Sequence, residues 1–387
     1  MTLHSHFACC RIRKIIYLIC LLIPFTFVYI MYGFLSHTVL RFKITNVNST
    51  KEQKLTGMSQ VQIPCSFIST SLDSSIVEKT KASESIHPEV LKLVEDIQRC
   101  IWAKEVKTYT NIRSELRQCC DAFNLSVTSQ QNTLEGSSIP YDGQPNKKVK
   151  ITKHIFQMLP KTSPFKSKNY KLCAVVGNSG FLFNSSCGAD IDKADFVFRC
   201  NLPGISAKYK ADVGNKTDLV TANPSIFKSK YANLDESRKP FADAVTVFGE
   251  ALLLMTPFTY QSNEISAYRA YFTLKDFQSK LTPVFLNSSY LKNLVRFWEN
   301  RRIREHRLST GLLLQSMAIE LCDEVHLYGF WPFKTDATGR NVSYHYYDEV
   351  EVDHSVHVQL YEFLSHLKLH TQGVIRIQLG TCAKYNE

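Results

Sequence analysis

The chain has 387 residues, 44% of them hydrophobic, and carries a formal net charge of +11. That much apolar content excludes a disordered protein and can supply the core of one large α/β domain with appendages. The basic surplus points to nucleic acid, an anionic membrane or an acidic small substrate, unless it is plain solvated surface.

Residues 1–14 form a short tail with Arg11, Arg13 and Lys14 at its end. Residues 15–40 contain no Asp, Glu, Lys or Arg, a run longer than the roughly 20 residues a bilayer requires. With basic residues in front and no small-residue cleavage site behind, this segment reads as an uncleaved signal anchor with a cytosolic tail. Arg41 and Lys43 on its far side weaken the charge asymmetry.

Six N-x-S/T sequons lie beyond the segment, at Asn48, Asn124, Asn184, Asn215, Asn287 and Asn341. Of the twelve cysteines, Cys9, Cys10 and Cys20 precede or lie within it. The body is therefore expected in a secretory lumen that permits disulfides and N-glycans. Nucleic acid is disfavoured there, and an acidic sugar or sugar nucleotide becomes the more economical partner. Nine cysteines remain beyond the segment, an odd number, so at least one stays free or pairs outside the chain.

Residues 41–87, largely Ser, Thr, Lys and Gln from residue 44, read as a flexible stem. The folded body then spans 88–387. Leu91, Val94, Ile97 and Ile101 recur at helical spacing, so one or two helices open it between Pro88 and Phe123. Cys100, Cys119 and Cys120 can staple this region; their pairing, and that of Cys65, is not fixed by sequence. Residues 124–150 read as loop. After them "LCAVV", "DFVFRCN", "DLVTAN", "AVTVFG", "TPVFLN" and "EVHLYGF" are short apolar strands separated by helical or loop stretches, the alternation of a parallel sheet covered by helices.

Four stretches bear chemistry. "KLCAVVGNSG" runs from a strand into Gly177, Asn178, Ser179 and Gly180, a polar turn at the carboxyl end of the sheet, where open α/β folds bind ligands. G-x-x-G is equally an ordinary tight turn, and it lacks both the dinucleotide glycines and the P-loop lysine. In "STGLLLQSMAIELC", Ser309 or Thr310 caps a helix whose first-turn N–H groups suit an anion. "EVHLYGFWPF" and "YHYYD" offer Trp331 as a stacking platform or core residue, and Tyr344 and His345 as donors to a phosphate. In "HSVHVQLYEFLSHLKLH", Leu360, Phe363, Leu364 and Leu367 form a buried stripe that puts His357 near a helix start, where imidazole stays neutral and can act as a base.

Two metal patterns are weak. Asp190 and Asp192 form a D-x-D that reads better as a solvated turn or helix cap. His366 and His370 lack the glutamate of H-E-x-x-H and read as helix surface.

Together, "CAVVGNSGFLFNSSCGADIDKADFVFRCNLP", "STGLLLQSMAIELCDEVHLYGFWPF", "YHYYD" and "HVQLYE" resemble the large, small, third and very small sialylmotifs of animal sialyltransferases, over residues 150–382. Their detail most resembles the alpha-2,8-sialyltransferase branch, in particular its members V and VI. The resemblance implies a type II Golgi membrane protein, catalytic domain lumenal, with a GT-A-like variant of a Rossmann-type parallel sheet flanked by helices. CMP-sialic acid would be the donor, a sialylated glycoprotein or glycolipid the acceptor, and no metal or other cofactor would be needed; a homodimer is one open arrangement.

By position in the motifs, Asn178 and Asn201 would contact the donor, supported by Ser179. Ser309, Thr310 and Gly311 would bind it from the small motif, with Trp331, Tyr344 and His345 completing the pocket. His357 would be the catalytic base and Glu362 its supporting glutamate. The resemblance also implies disulfides Cys173 with Cys322 and Cys187 with Cys382, and leaves Cys200 as the expected free thiol. Arg296, Arg301, Arg302, Arg304 and Arg307, interrupted by Glu299 and Glu305, are expected to lie where an acidic glycan could run, favouring transfer of one or a few residues. A different linkage, or a homologue that binds sialoglycans without turnover, is the alternative; a nucleotide-dependent oxidoreductase lacks its fingerprint glycines.

Overall fold

The computed structural model describes residues 63–71, 76, 86–165, 168–303, 307–348 and 359–382, all within one compact unit. The expected membrane segment at 15–40, the tail before it, Asn48 and His357 lie outside these residues. Among the described residues no helix is long and apolar enough to cross a membrane.

The strands are β1 (Ser138–Tyr141), β2 (Gln144–Lys150), β3 (Tyr170–Val176), β4 (Phe196–Arg199), β5 (Leu219–Ala222), β6 (Leu252–Met255), β7 (Thr282–Phe285), β8 (Cys322–Tyr328) and β9 (Arg376–Gln378). The longer helices are α1 (Pro88–Arg99), α2 (Val106–Cys119), α3 (Glu264–Asp276), α4 (Ser288–Glu299), α5 (Thr310–Leu321) and α6 (Gln359–Thr371). β3 to β9 form one sheet in the order β7-β6-β5-β4-β3-β8-β9, every neighbouring pair parallel. From β3 the chain builds outward to β7, then returns and builds the other way from β8. The order therefore reverses between β3 and β8, and the loops leaving their carboxyl ends part company there, which opens a crevice.

Side chains alternate across the sheet with the strand period of two. Cys173 and Val175 face a core shared with α1, α2, α4 and α5, whereas Ala174 and Val176 face a second core that includes Phe227, Phe241, Phe258 and Leu274. α5 lies beneath the first face with every residue from Gly311 to Leu321 buried. Disulfides join Cys65 to Cys100, Cys119 to Cys120, Cys173 to Cys322 and Cys187 to Cys382; among the described residues Cys200 is the free, buried thiol.

Three local expectations need correction. "AVTVFG" is not a strand: Val245–Phe248 is a turn of 3₁₀ helix, with Val245 and Phe248 buried three residues apart and Val247 turned out, and Gly249 at φ +60° ends it. The strand comes next, from "LLLM" at β6. Residues 124–150 are not all loop: β1 and β2 pair antiparallel around Asp142-Gly143, the D-G dipeptide typical of a tight hairpin. Gly143 leaves no room there for a Cβ, which would fall 2.3 Å from the ring of Tyr260. Within the range read as stem, residues 63–71 lie on the body. Cys65 is buried and disulfide-bonded, and Pro64 bridges to Ile101.

Candidate active site

At the β3/β8 crevice the backbone turns are packed as tightly as sequence permits. Gly177 N–H donates to Tyr328 O at 2.8 Å, and a Cβ on Gly177 would stand 2.5 Å from Gly329 O. Gly180 N–H donates to Ser343 O at 2.9 Å, and a Cβ there would stand 2.2 Å from Ser343 Oγ. Both glycines of the G-x-x-G turn are thus required by close backbone approach. They let the 342–348 loop dock on the turn, where Tyr346 N–H reaches Asn178 O at 2.9 Å.

An open cleft lies above these turns. Its lining includes Asn178, Ser179, Asn201, Ser309, Thr310, Gly311, Trp331, Tyr344, His345 and Glu362, residues from six separate stretches of chain. Asn178 directs Nδ2 to Cys200 O (3.0 Å) and to the Tyr347 hydroxyl (3.2 Å), while its Oδ1 is buried without a partner among the described residues. Asn201 sits at φ +56°, which asparagine tolerates better than most residues, and its Oδ1 accepts from Asn223 N–H at 2.9 Å.

Ser309 caps α5: its hydroxyl accepts from Leu312 N–H at 3.0 Å. Glu362, on α6, accepts from Ser309 N–H at 2.8 Å and from the Ser309 hydroxyl. Ser309 is thus held from both sides, and the N–H groups of Thr310 and Gly311 remain at the positive end of the helix for a ligand. Trp331 is 6% exposed, stacked on Phe181 at 4.6 Å and edge-on to Phe333 and Phe363, with its indole N–H on Thr335 O. It is a wall of the cleft and part of the core at once.

Among the described lining residues no Lys or Arg occurs; the polar groups presented are backbone N–H groups, amides, hydroxyls, imidazoles and the Glu362 carboxylate. Cys200 also lines the cleft; burial, with the Glu362 charge adding to it, pushes its thiol up to about 12, too high for a reactive thiolate.

Several lining residues escaped the sequence reading. Asn223 ends β5 as Asn178 and Asn201 end or follow their strands, and that position was its signal. His366 and His370 are not helix surface: they are 2% and 4% exposed, and desolvation lowers them to about 3 and about 4. His366 lines the cleft, edge-on to Phe330, one turn beyond Glu362. His370 accepts from Ile377 N–H at Nδ1 and sits with Nε2 3.4 Å from Cys65 Sγ.

The D-x-D carboxylates are used within the fold. Asp192 accepts from the N–H groups of Asn215 and Lys216, and Asp190 pairs with Lys193. Arg301 is tied to Glu115 and lies 3.7 Å over the Phe297 ring, and Arg307 stands over Tyr260, whereas Arg296 and Arg302 are exposed. Arg304 is outside the described residues. Asn124, Asn184, Asn215 and Asn341 are exposed, but Asn287 is 7% exposed and its Oδ1 caps α4 by accepting from Ser289 and Tyr290 N–H.

Residues 124–374 match the family described as glycosyltransferase family 29 (sialyltransferase), and the chain belongs to that family. It is 40% identical over 324 residues to alpha-2,8-sialyltransferase 8F of Mus musculus, covering 84% of this chain and 81% of that one. It is 40% identical over 287 residues to alpha-2,8-sialyltransferase 8E of Homo sapiens, covering 74% and 76%. A crystal structure of a mammalian sialyltransferase matches 78% of this chain and 91% of its own at 22% identity, with a TM-score of 0.40.

Proposed function

We propose that the chain transfers sialic acid from CMP-sialic acid to a terminal sialic acid on glycoprotein or glycolipid glycans, forming an alpha-2,8 linkage, and that it groups with members V and VI of that branch. The observation that carries this reading is the convergence of Asn178, Asn201, Ser309, Thr310, Gly311, Trp331, Tyr344 and His345 in one cleft. The relatives that bear the alpha-2,8 name support the linkage. In this reading the donor phosphate lies against the Thr310 and Gly311 N–H groups and His345, while Asn178 and Asn201 hold the nucleotide and sugar.

Transfer is a single inverting displacement. His357 removes the proton of the acceptor hydroxyl as its oxygen bonds to the sialyl anomeric carbon, and the bond to the CMP phosphate breaks with its electron pair on the phosphate. The phosphate leaves into donors already aimed at it, so no metal is needed in this scheme. The body acts in the Golgi lumen, anchored by residues 15–40.

The test is incubation of the full-length chain with CMP-sialic acid and EDTA, comparing asialo with alpha-2,3-sialylated acceptors. Transfer to the sialylated acceptor alone, with an alpha-2,8 bond in the product, is expected. Transfer to the asialo acceptor would overturn the linkage, and CMP binding without transfer would point to a binding homologue. His357→Ala should lower turnover by about 10² to 10⁴, the usual contribution of a general base.

A further inference from the structure

The loop that walls the cleft opposite α5 holds a side-chain pair that the scheme above does not use. His345 Nδ1 lies 2.8 Å from Asp348 Oδ1. The imidazole is stacked between two phenol rings, Tyr344 at 4.5 Å and 29° and Tyr347 at 5.0 Å and 11°. The Tyr347 ring is itself fixed to the crevice. The Tyr347 hydroxyl accepts from Asn178 Nδ2, and the neighbouring Tyr346 hydroxyl donates to Gly204 O at 2.9 Å.

An imidazole has two ring nitrogens and can turn about its side-chain bond. Stacking on both faces fixes its tilt but leaves its in-plane presentation open; a carboxylate at one nitrogen settles it. A carboxylate only accepts, so Nδ1 must carry a proton, and Nε2 is left as the nitrogen available to the cleft. Other charged or titratable groups face the same loop: Lys208 and Arg340 line an adjoining cleft that shares His345, and Glu362 and His366 line the donor cleft.

We propose that Asp348 is a positioning residue: by holding Nδ1 of His345 it turns the Nε2 edge of the ring toward the phosphate of the nucleotide donor. The inference rests on the sialyl-transfer reading. Without Asp348 the ring loses the contact that settles which of its nitrogens is turned to the cleft.

The experiment compares full-length wild type, His345→Ala, Asp348→Ala, Asp348→Glu and the His345→Ala/Asp348→Ala double variant, measuring CMP affinity and transfer. Asp348→Ala should cost about 10- to 100-fold in kcat/KM; made on top of His345→Ala it should cost less than about twofold, because coupled residues are not additive. Asp348→Glu should recover much of the loss. An equal cost with and without His345, or wild-type activity in Asp348→Ala, overturns the proposal. If wild type binds CMP but transfers nothing, the transferase reading fails, and the same cycle read in CMP affinity still decides the role of Asp348.

Discussion

Glu362 on α6 takes two hydrogen bonds from Ser309, one from the backbone N–H at 2.8 Å and one from the hydroxyl, and so joins two motifs 53 residues apart in sequence. A carboxylate is the acceptor of both, and bonds to a charged group are worth about 1.5–3 kcal/mol each. Glu362→Gln replaces one acceptor by a donor that faces a donor. CMP affinity measured by calorimetry should fall at least about tenfold, the equivalent of a single such bond.

Glu320 supplies a pH signature. It is fully buried on α5, accepting from Ala122 N–H at 2.8 Å and contacting the Tyr290 hydroxyl, and desolvation raises it to about 7 from an ordinary 4.5. The folded state therefore holds this proton more tightly than the unfolded state. Its contribution is fully present below pH 4.5 and is lost as pH rises through about 7, a fall of up to about 3 kcal/mol. Glu320→Gln should flatten that part of the stability–pH curve, measured by denaturant melts between pH 4.5 and 8.

Gly177→Ala tests the crevice floor. The new methyl meets Gly329 O, a backbone atom that cannot swing aside. Overpacking of this kind costs about 1–3 kcal/mol, and the accompanying shift of Asn178 should weaken CMP binding as well. Gly311→Ala should be milder, because its methyl meets the Phe330 ring, a side chain with some freedom to move.

Asn287 is a sequon asparagine whose side chain is buried as the α4 cap. Asn287→Ala should leave the number of N-glycans unchanged by intact mass, yet lower stability by about 0.5–2 kcal/mol through loss of the α4 cap.

Motif residues were legible in sequence because each ends a strand or starts a helix, and such positions are set locally. Ser309 capping α5 and the glycines flanking Asn178 belong to that class. The misread elements were settled by distant partners. "AVTVFG" has the β-branched content of a strand, yet Val245 and Phe248 bury at helical spacing and "LLLM" takes the place beside β5. His366 read as helix surface once the metal pattern failed; in the fold it is 2% exposed, with Phe330 from the β8 loop packed edge-on against it. Asn223 and Asp348 gave weak signals, since each acts through a residue brought close by folding.

The Cys173–Cys322 disulfide crosses between β3 and β8 at the start of β8, away from the ends where the cleft opens. A parallel pair of apolar strands can in principle slip in register, and a slip of one residue would carry Gly177 out of its place opposite Gly329. The covalent tie forbids that slip. Sequence drift in the loops above the sheet can then reshape the rim of the cleft while its floor keeps its alignment, so this seam is a fixed chassis on which, under the proposed function, new acceptor preferences can be tried.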